Sequence, residues 1–376
     1  MSTFDLYALP AELQTWDLEA AGAARFTWEY GDGRDRLLGL YSKGKQKQWD
    51  SAERIEWDLE IDPDDPFGLP KEIHPLVGSR TYEGLSEAER TASGRAMGVW
   101  QFSQFLHGEQ GALICSARIV EGVPDLDSKY YAATQVMDEA RHVETYARFL
   151  QEKVGEVYPI NPHLKALLDD TLTDPRWDMP YLGMQVLIEG LALAAFGVLR
   201  DISTDALTKQ ILSYVMADEA RHVAFGRIAL RDYYSQLSAA ELAEREEFVI
   251  EGSFLMRSRF RGDEVWEGLG YDVPDCVAAV ENSPYMQAFR TLLFSRIVPC
   301  VKDIGLWSPK VQKAYADLGV LDMAGLNLDD LMADDEAKAD SFDQVRIERA
   351  AKARFDVELQ ARRAEVDAVV TAEANA

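Results

Sequence analysis

The chain has 376 residues, 47 % of them hydrophobic, which is enough for a buried core in one large domain or two. Its formal net charge of −26 repels phosphate backbones, so nucleic acid is not an expected partner. No run of eighteen apolar residues occurs, so no membrane span is expected, and Met1–Glu19 lacks the basic and apolar regions of a signal peptide.

Acidic residues are spread along the whole chain, which reads as a solubilising surface rather than one face for a basic partner. Cys115, Cys276 and Cys300 are odd in number and far apart. They suggest reduced thiols in a cytoplasmic compartment, not a disulfide framework.

Residues 1–80 are irregular and rich in tryptophan, an arm expected to pack its rings on a core. Within it a short helix is expected near Asp35–Gln48. Ile61–Pro75, with four prolines among acids, reads as an extended surface loop. From Ser86 the pattern turns helical. Ser86 and Glu89 form a capping box, and a helix runs through Glu109 towards Glu121. A second carries Tyr130 through Lys153 and stops at Gly155. Asp178 and Pro180 mark a third, containing Glu189, and a fourth begins near Ser203. Ser238 and Glu241 open a fifth. Short helices follow, ending in a charged, alanine-rich stretch from about Asp340. With no strand alternation, the expected fold is all-α: a helical domain over 81–310, the arm packed on it, and a C-terminal helical extension over 311–376.

The word Asp-Glu-Ala-Arg-His occurs twice, at Asp138–His142 and Asp218–His222. Each copy holds Glu-x-x-His, Glu139 with His142 and Glu219 with His222, and residues three apart share a helix face. Thirty residues before each glutamate lies another in an apolar helical stretch, Glu109 and then Glu189. The order of lone glutamate, Glu-x-x-His, and the same again builds a four-helix bundle whose halves each supply three ligands. Four carboxylates offset two divalent charges, and oxygen with imidazole suits iron or manganese better than copper or zinc. Solvated surface acids would explain one such pair; they do not explain two copies at equal spacing. Asp138 and Asp218 are placed to orient a metal-bound histidine, each that of the opposite half, with Arg141 and Arg221 pairing to them.

Gly108-Glu109 followed by Ala112, and Met137–His142, resemble the ferritin-like di-iron carboxylate superfamily over roughly Val99–Tyr234. Its nearest branches are ribonucleotide reductase small subunits, their ligand-binding oxidase relatives and multicomponent monooxygenase hydroxylases. The resemblance implies a ferritin-like four-helix core with two iron ions, or manganese with iron, that activate dioxygen. It assigns Glu109, Glu139 and His142 to one ion, and Glu189, Glu219 and His222 to the other, with bridging among the glutamates. Tyr146 stands where the reductase subunits carry their radical tyrosine, although Thr371–Ala376 has no aromatic residue for their relay. Leu193 replaces the threonine of the monooxygenases, Met184 the cross-linking tyrosine of the oxidases, and Val215 the extra histidine of the arylamine oxygenases.

Met184, Leu193, Phe196, Phe225 and Gly226 are expected to line a hydrophobic substrate pocket. Gly190, Gly111 and Gly226 beside the ligands fit either such a pocket or close helix packing. The favoured function is therefore a dinuclear oxidase or monooxygenase acting on a small hydrophobic or aromatic molecule. A radical-generating subunit and a ferroxidase or storage protein are the alternatives. With no Gly-x-Gly-x-x-Gly and no cysteine cluster, electrons come from a separate reductase or ferredoxin. A homodimer is expected from the families it resembles.

Overall fold

In the computed structural model, Ser86 accepts a hydrogen bond from the Glu89 amide while Glu89 reaches back to the Ser86 amide, and α2 (Glu87–Gly122) starts there. The structure describes residues 16–19, 22–31 and 33–374. The arm's residues 1–15, 20–21 and 32, and residues 375–376 of the extension, lie outside the described residues. Ahead of α2, helix α1 (Asp35–Gln46) packs across the bundle. After it come α3 (Leu126–Arg148) and α4 (Pro162–Thr173). Next are α5 (Glu189–Ile202), α6 (Ala206–Tyr234) and α7 (Ala239–Ser258), the last opened by the Ser238–Glu241 capping box. The long α8 (Leu328–Ala374) packs along α6. No β-strand occurs among the described residues.

Two stretches depart from α-winding. Phe149–Val154 continues α3 as π-helix and closes on Gly155 at φ 78°, a left-handed position that glycine adopts without strain. Tyr181–Ile188 is π-helix leading directly into Glu189. Such windings gather at functional sites, because the wider turn redirects the residues that follow. The composite helix Asp178–Ile202 is long and apolar enough to cross a membrane, yet 83 % of its most apolar window is buried inside the protein. Its hydrophobicity all round is that of a central core helix.

The loop expected at the surface over Ile61–Pro75 is partly core. Phe67 is buried and stacks on Phe102 at 4.4 Å, with Phe149 at 5.9 Å. Gly98 of α2 makes the space, since a Cβ there would stand 2.5 Å from the Phe67 ring. The prolines set an irregular backbone, and the single large ring among them still takes the buried position that its apolar area favours.

Candidate metal centre

Four helices each turn a glutamate to one point. Glu109 comes from α2, Glu139 and His142 from α3, Glu189 from α5, and Glu219 and His222 from α6, all buried. Two overlapping donor sets result: Glu109, Glu139, His142 and Glu219, and Glu139, Glu189, Glu219 and His222. Within each set the ligand atoms lie no more than 4.8 Å apart. Glu139 and Glu219 belong to both sets, the placement of bridging carboxylates.

The histidines face this centre through Nδ1. His142 Nδ1 lies 3.2 Å from Glu109 Oε2, 3.2 Å from Glu219 Oε1 and 3.3 Å from Glu139 Oε2. His222 Nδ1 lies 3.1 Å from Glu139 Oε1 and 3.4 Å from Glu219 Oε2. The other ring nitrogens cross to the opposite half: His142 Nε2 is 3.1 Å from Asp218 Oδ2, and His222 Nε2 is 3.2 Å from Asp138 Oδ2. Neutral imidazole carries one N–H. Donating it from Nε2 to the aspartate leaves an Nδ1 lone pair facing carboxylate oxygens, which cations between them reconcile. Glu189 Oε2, both Glu219 oxygens and His222 Nδ1 have no hydrogen-bond partner, although buried. Orphaned anionic oxygens around inward lone pairs fit two hard divalent ions.

The electrostatics agree. Burial, then the Glu219 charge, pushes Glu109 and Glu189 well above the usual carboxylate range. Burial opposes ionisation of Glu139 too, but the two imidazoles hold it well below that range. Both histidines are raised despite burial, His142 chiefly by Glu109 and His222 chiefly by Glu139. Charges this crowded are held by protons or by metal, so metal binding displaces protons.

Around the donors, Arg141 bonds Asp138 at 2.5 Å and Asp218 at 2.9 Å, while Arg221 pairs with Asp218 and lies 3.6 Å from Asp138. Three supporting residues escaped the sequence reading. Gln135 donates to Glu139 at 3.0 Å and Glu189 at 2.8 Å. Gln48 donates to Asp138 at 2.6 Å, and the Trp49 indole to Asp218 at 2.8 Å. Gln135 sits four before Glu139 on the same face, a usable signal; Gln48 and Trp49 come from the arm, where none existed.

Tyr146 is fully buried with its hydroxyl unpartnered, ringed by Phe196 at 6.0 Å, Phe105 at 6.1 Å and Phe102 at 6.3 Å. Burial, then the charges of Glu109 and Glu219, raises its phenol well above the ordinary range. A cavity of about 20 Å3, room for one or two water-sized molecules, opens on Glu109, Glu189 and Glu219. Met184 and Phe196 line it, with Phe105 and Ala112. The expected wall needs correction at the other three residues. Leu193 is buried away from this cavity. Phe225 turns to the rings of Tyr131 at 4.3 Å and Tyr181 at 5.0 Å. Gly226 serves close packing, since a Cβ there would stand 2.5 Å from Gln185 Cβ.

Residues 32–305 match the family model described as P-aminobenzoate N-oxygenase AurF. The chain belongs to this family. It is accordingly a dioxygen-using, non-haem di-metal oxidoreductase. The sequence placed it nearer other branches and set the arylamine oxygenases aside on Val215. A match over most of the chain outweighs one position, and Val215, buried one turn before Glu219, contributes no seventh donor to this AurF-family centre. No curated protein matches the sequence. Among solved structures the chain is similar to a variant of an R2-like ligand-binding oxidase with a Mn/Fe cofactor, at 20 % identity over 72 % of this chain and 94 % of that one, TM-score 0.43. It is also similar to a protein with aldehyde deformylating oxidase activity from Synechococcus, at 14 % identity over 60 % and 97 %, TM-score 0.43.

Proposed function

We propose that the protein is a monooxygenase of a small hydrophobic or aromatic molecule, using two iron ions or manganese with iron, and that an aromatic amine is its first candidate substrate. The observation that carries this is the apolar side of the centre. Phe105, Met184 and Phe196 face the glutamates, and a second cavity of about 100 Å3 between Phe67, Leu199, Phe260 and Phe289 lies one helical turn outward. That volume approaches the ~150 Å3 in which an apolar cavity takes up benzene. The family description, an aminobenzoate N-oxygenase, supports the amine.

When bound, the two ions supply the redox chemistry that activates dioxygen. Glu139 and Glu219, members of both donor sets, would hold both ions, and Asp138 and Asp218 keep both imidazoles turned inward. Phe105, Phe196 and Met184 exclude bulk water, which strengthens every charge interaction inside. The Tyr146 hydroxyl, unpartnered beside Glu109 and Glu219, holds a proton at Oη for delivery to the centre. Electrons come from a separate reductase or ferredoxin, and the working form is a homodimer.

The buried Tyr146 phenol favours one second reading, a radical-generating subunit. Loading with ferrous iron without oxygen, then adding 18O2 and a reductant with p-aminobenzoate or aniline, separates the readings. Monooxygenation gives reductant-dependent product carrying 18O. A tyrosyl radical signal with no labelled product overturns it, and so does turnover of many irons per chain.

A further inference from the structure

The rings that lead outward from the centre differ in kind between its two sides. Around Tyr146 they are phenylalanines: Phe102, Phe105 and Phe196, with Phe149 and Phe67 behind Phe102. On the other side the rings are mostly oxidisable. Tyr131 of α3 lies 4.3 Å from Phe225, and Phe225 lies 5.0 Å from Tyr181. Tyr181 is 5.9 Å from Trp177, and Trp177 is 4.5 Å from Tyr233. The inner end borders the ligands: Tyr131 shares a helix face with Gln135 and Glu139, and Phe225 lies one turn after His222. Burial raises the Tyr131 phenol, and the charges of His222 and Arg221 oppose that rise. At the outer end Trp177 and Tyr233 are half-buried and line an open cavity of about 860 Å3.

Packing alone does not account for this choice of residues. The Tyr131 hydroxyl is buried with no hydrogen-bond partner, and that of Tyr181 lies near Ser128 without completing a bond. Each therefore costs stability that phenylalanine would spare. What a phenol or an indole adds over phenylalanine is ease of one-electron oxidation. Such rings yield electrons and do not store them, so traffic along them has one direction: electrons move inward, towards a strongly oxidising site. With no base bonded to either buried hydroxyl, Tyr131 and Tyr181 keep their protons, and an oxidised ring there does not persist. It takes an electron from the next ring outward. At Tyr233 solvent accepts the phenol proton, and the radical settles there.

We propose that Tyr131, Tyr181, Trp177 and Tyr233, bridged by Phe225, discharge the centre when dioxygen has reacted and no organic molecule takes up the oxidising power. In each event one electron passes inward along the rings, Tyr233 loses one, and its phenol proton goes to water. A small one-electron donor of the ascorbate class, admitted by the cavity, returns one electron and one proton to the Tyr233 oxygen and is itself oxidised by one electron. The route spares the buried ligands, which an oxidant confined among them would attack. It needs only the dioxygen-using centre and is independent of which organic substrate that centre serves.

Pulsing the ferrous-loaded full chain with oxygen, with no organic substrate present, tests the route by peptide mass spectrometry. Oxidised side chains are expected at Trp177 and Tyr233, ahead of Trp28, which is 83 % exposed, and of Trp49 beside Asp218. Ascorbate suppresses both modifications. Tyr181→Phe keeps the ring and loses an unpartnered hydroxyl, so its Tm is equal or higher and its metal content before the pulse is unchanged. Removing that station raises a barrier on which rate depends exponentially, so oxidation at Trp177 and Tyr233 falls by about tenfold. Iron is then lost from the variant after fewer pulses. Trp177→Phe, at the half-buried end, lowers Tyr233 oxidation in the same way without disturbing the core. Oxidation led by Trp28 or Trp49, no modification at Trp177 and Tyr233, or a Tyr233 yield that survives both variants overturns the route.

Discussion

The two halves of the centre carry the same donors in different surroundings. In the first, α2 and α3 present Glu109, Glu139 and His142, and one turn beyond the histidine Tyr146 stands among Phe102, Phe105 and Phe196. In the second, α5 and α6 present Glu189, Glu219 and His222, and the corresponding place is Gly226. The missing side chain admits Gln185, whose Nε2 donates to Gln135 Oε1 at 3.3 Å, and Gln135 in turn donates to Glu189 and Glu139. One half has a phenol and an aromatic wall, the other a chain of carboxamides. The repeat fixes where cations sit; the unrepeated residues decide what reaches them.

Replacing the shared carboxylate is the most drastic way to break this comparison. Glu139→Ala is expected to lower metal content below one ion per chain, and His142→Ala and His222→Ala to lose at least one each, measured by elemental mass spectrometry. Full stoichiometry in all three variants removes the centre. Next in size, Asp218→Asn leaves two buried arginines short of charge and is expected to cost about 3–5 kcal/mol in urea unfolding. Asp138→Asn is expected to cost less, because Asp138 lies farther from Arg221 and lacks the indole donor; equal losses make the halves energetically equivalent. Gly226→Ala pushes a methyl against Gln185 and is expected to cost about 1–3 kcal/mol. A cost below about 0.5 kcal/mol shows that the carboxamide chain yields freely.

His74 lies outside both halves and serves as a reference. Burial lowers its pKa to about 4 from the usual 6.5, so below pH 6.5 the unfolded chain takes up a proton that the folded chain refuses. Stability is therefore lost as pH falls from about 6.5 towards 4, by on the order of 2 kcal/mol, and His74→Gln flattens that part of the profile. An unchanged slope in the variant assigns the loss elsewhere. The smallest stability effect belongs to Tyr146→Phe. Removing an unpartnered buried hydroxyl is neutral or stabilising by about 1 kcal/mol. Metal content stays the same while oxygen consumption changes; identical oxygen kinetics reduce Tyr146 to packing.

The donor set was legible because it depends on short intervals along single helices. Glu139 and His142 converge wherever that helix forms, and Ser86 with Glu89 announces where the preceding helix begins. Aspartates crossing to the opposite histidines were also within reach, given two copies of one motif. Long-range contacts were not. Nothing in Phe67's neighbourhood of prolines and acids says that its ring enters the core, and nothing local to Gln48 or Trp49 points to aspartates ninety or more residues away. The wall residues failed for a related reason. Phe225 is three positions after His222, but the π-wound Tyr181–Ile188 brings Tyr181 to its ring and Gln185 against Gly226. A change of helical winding has no residue signature as plain as a cap or a proline.

The exchanged aspartates have a consequence for how such a chain is built. Each motif lacks the brace for its own imidazole and carries the brace for the other's, so either half alone is unfinished. Two copies of one half, related by a twofold axis, would complete one another by the same pair of reciprocal bonds. The centre of this chain thus has the logic of a symmetric subunit contact, drawn inside a single polypeptide and then free to diverge on its two sides.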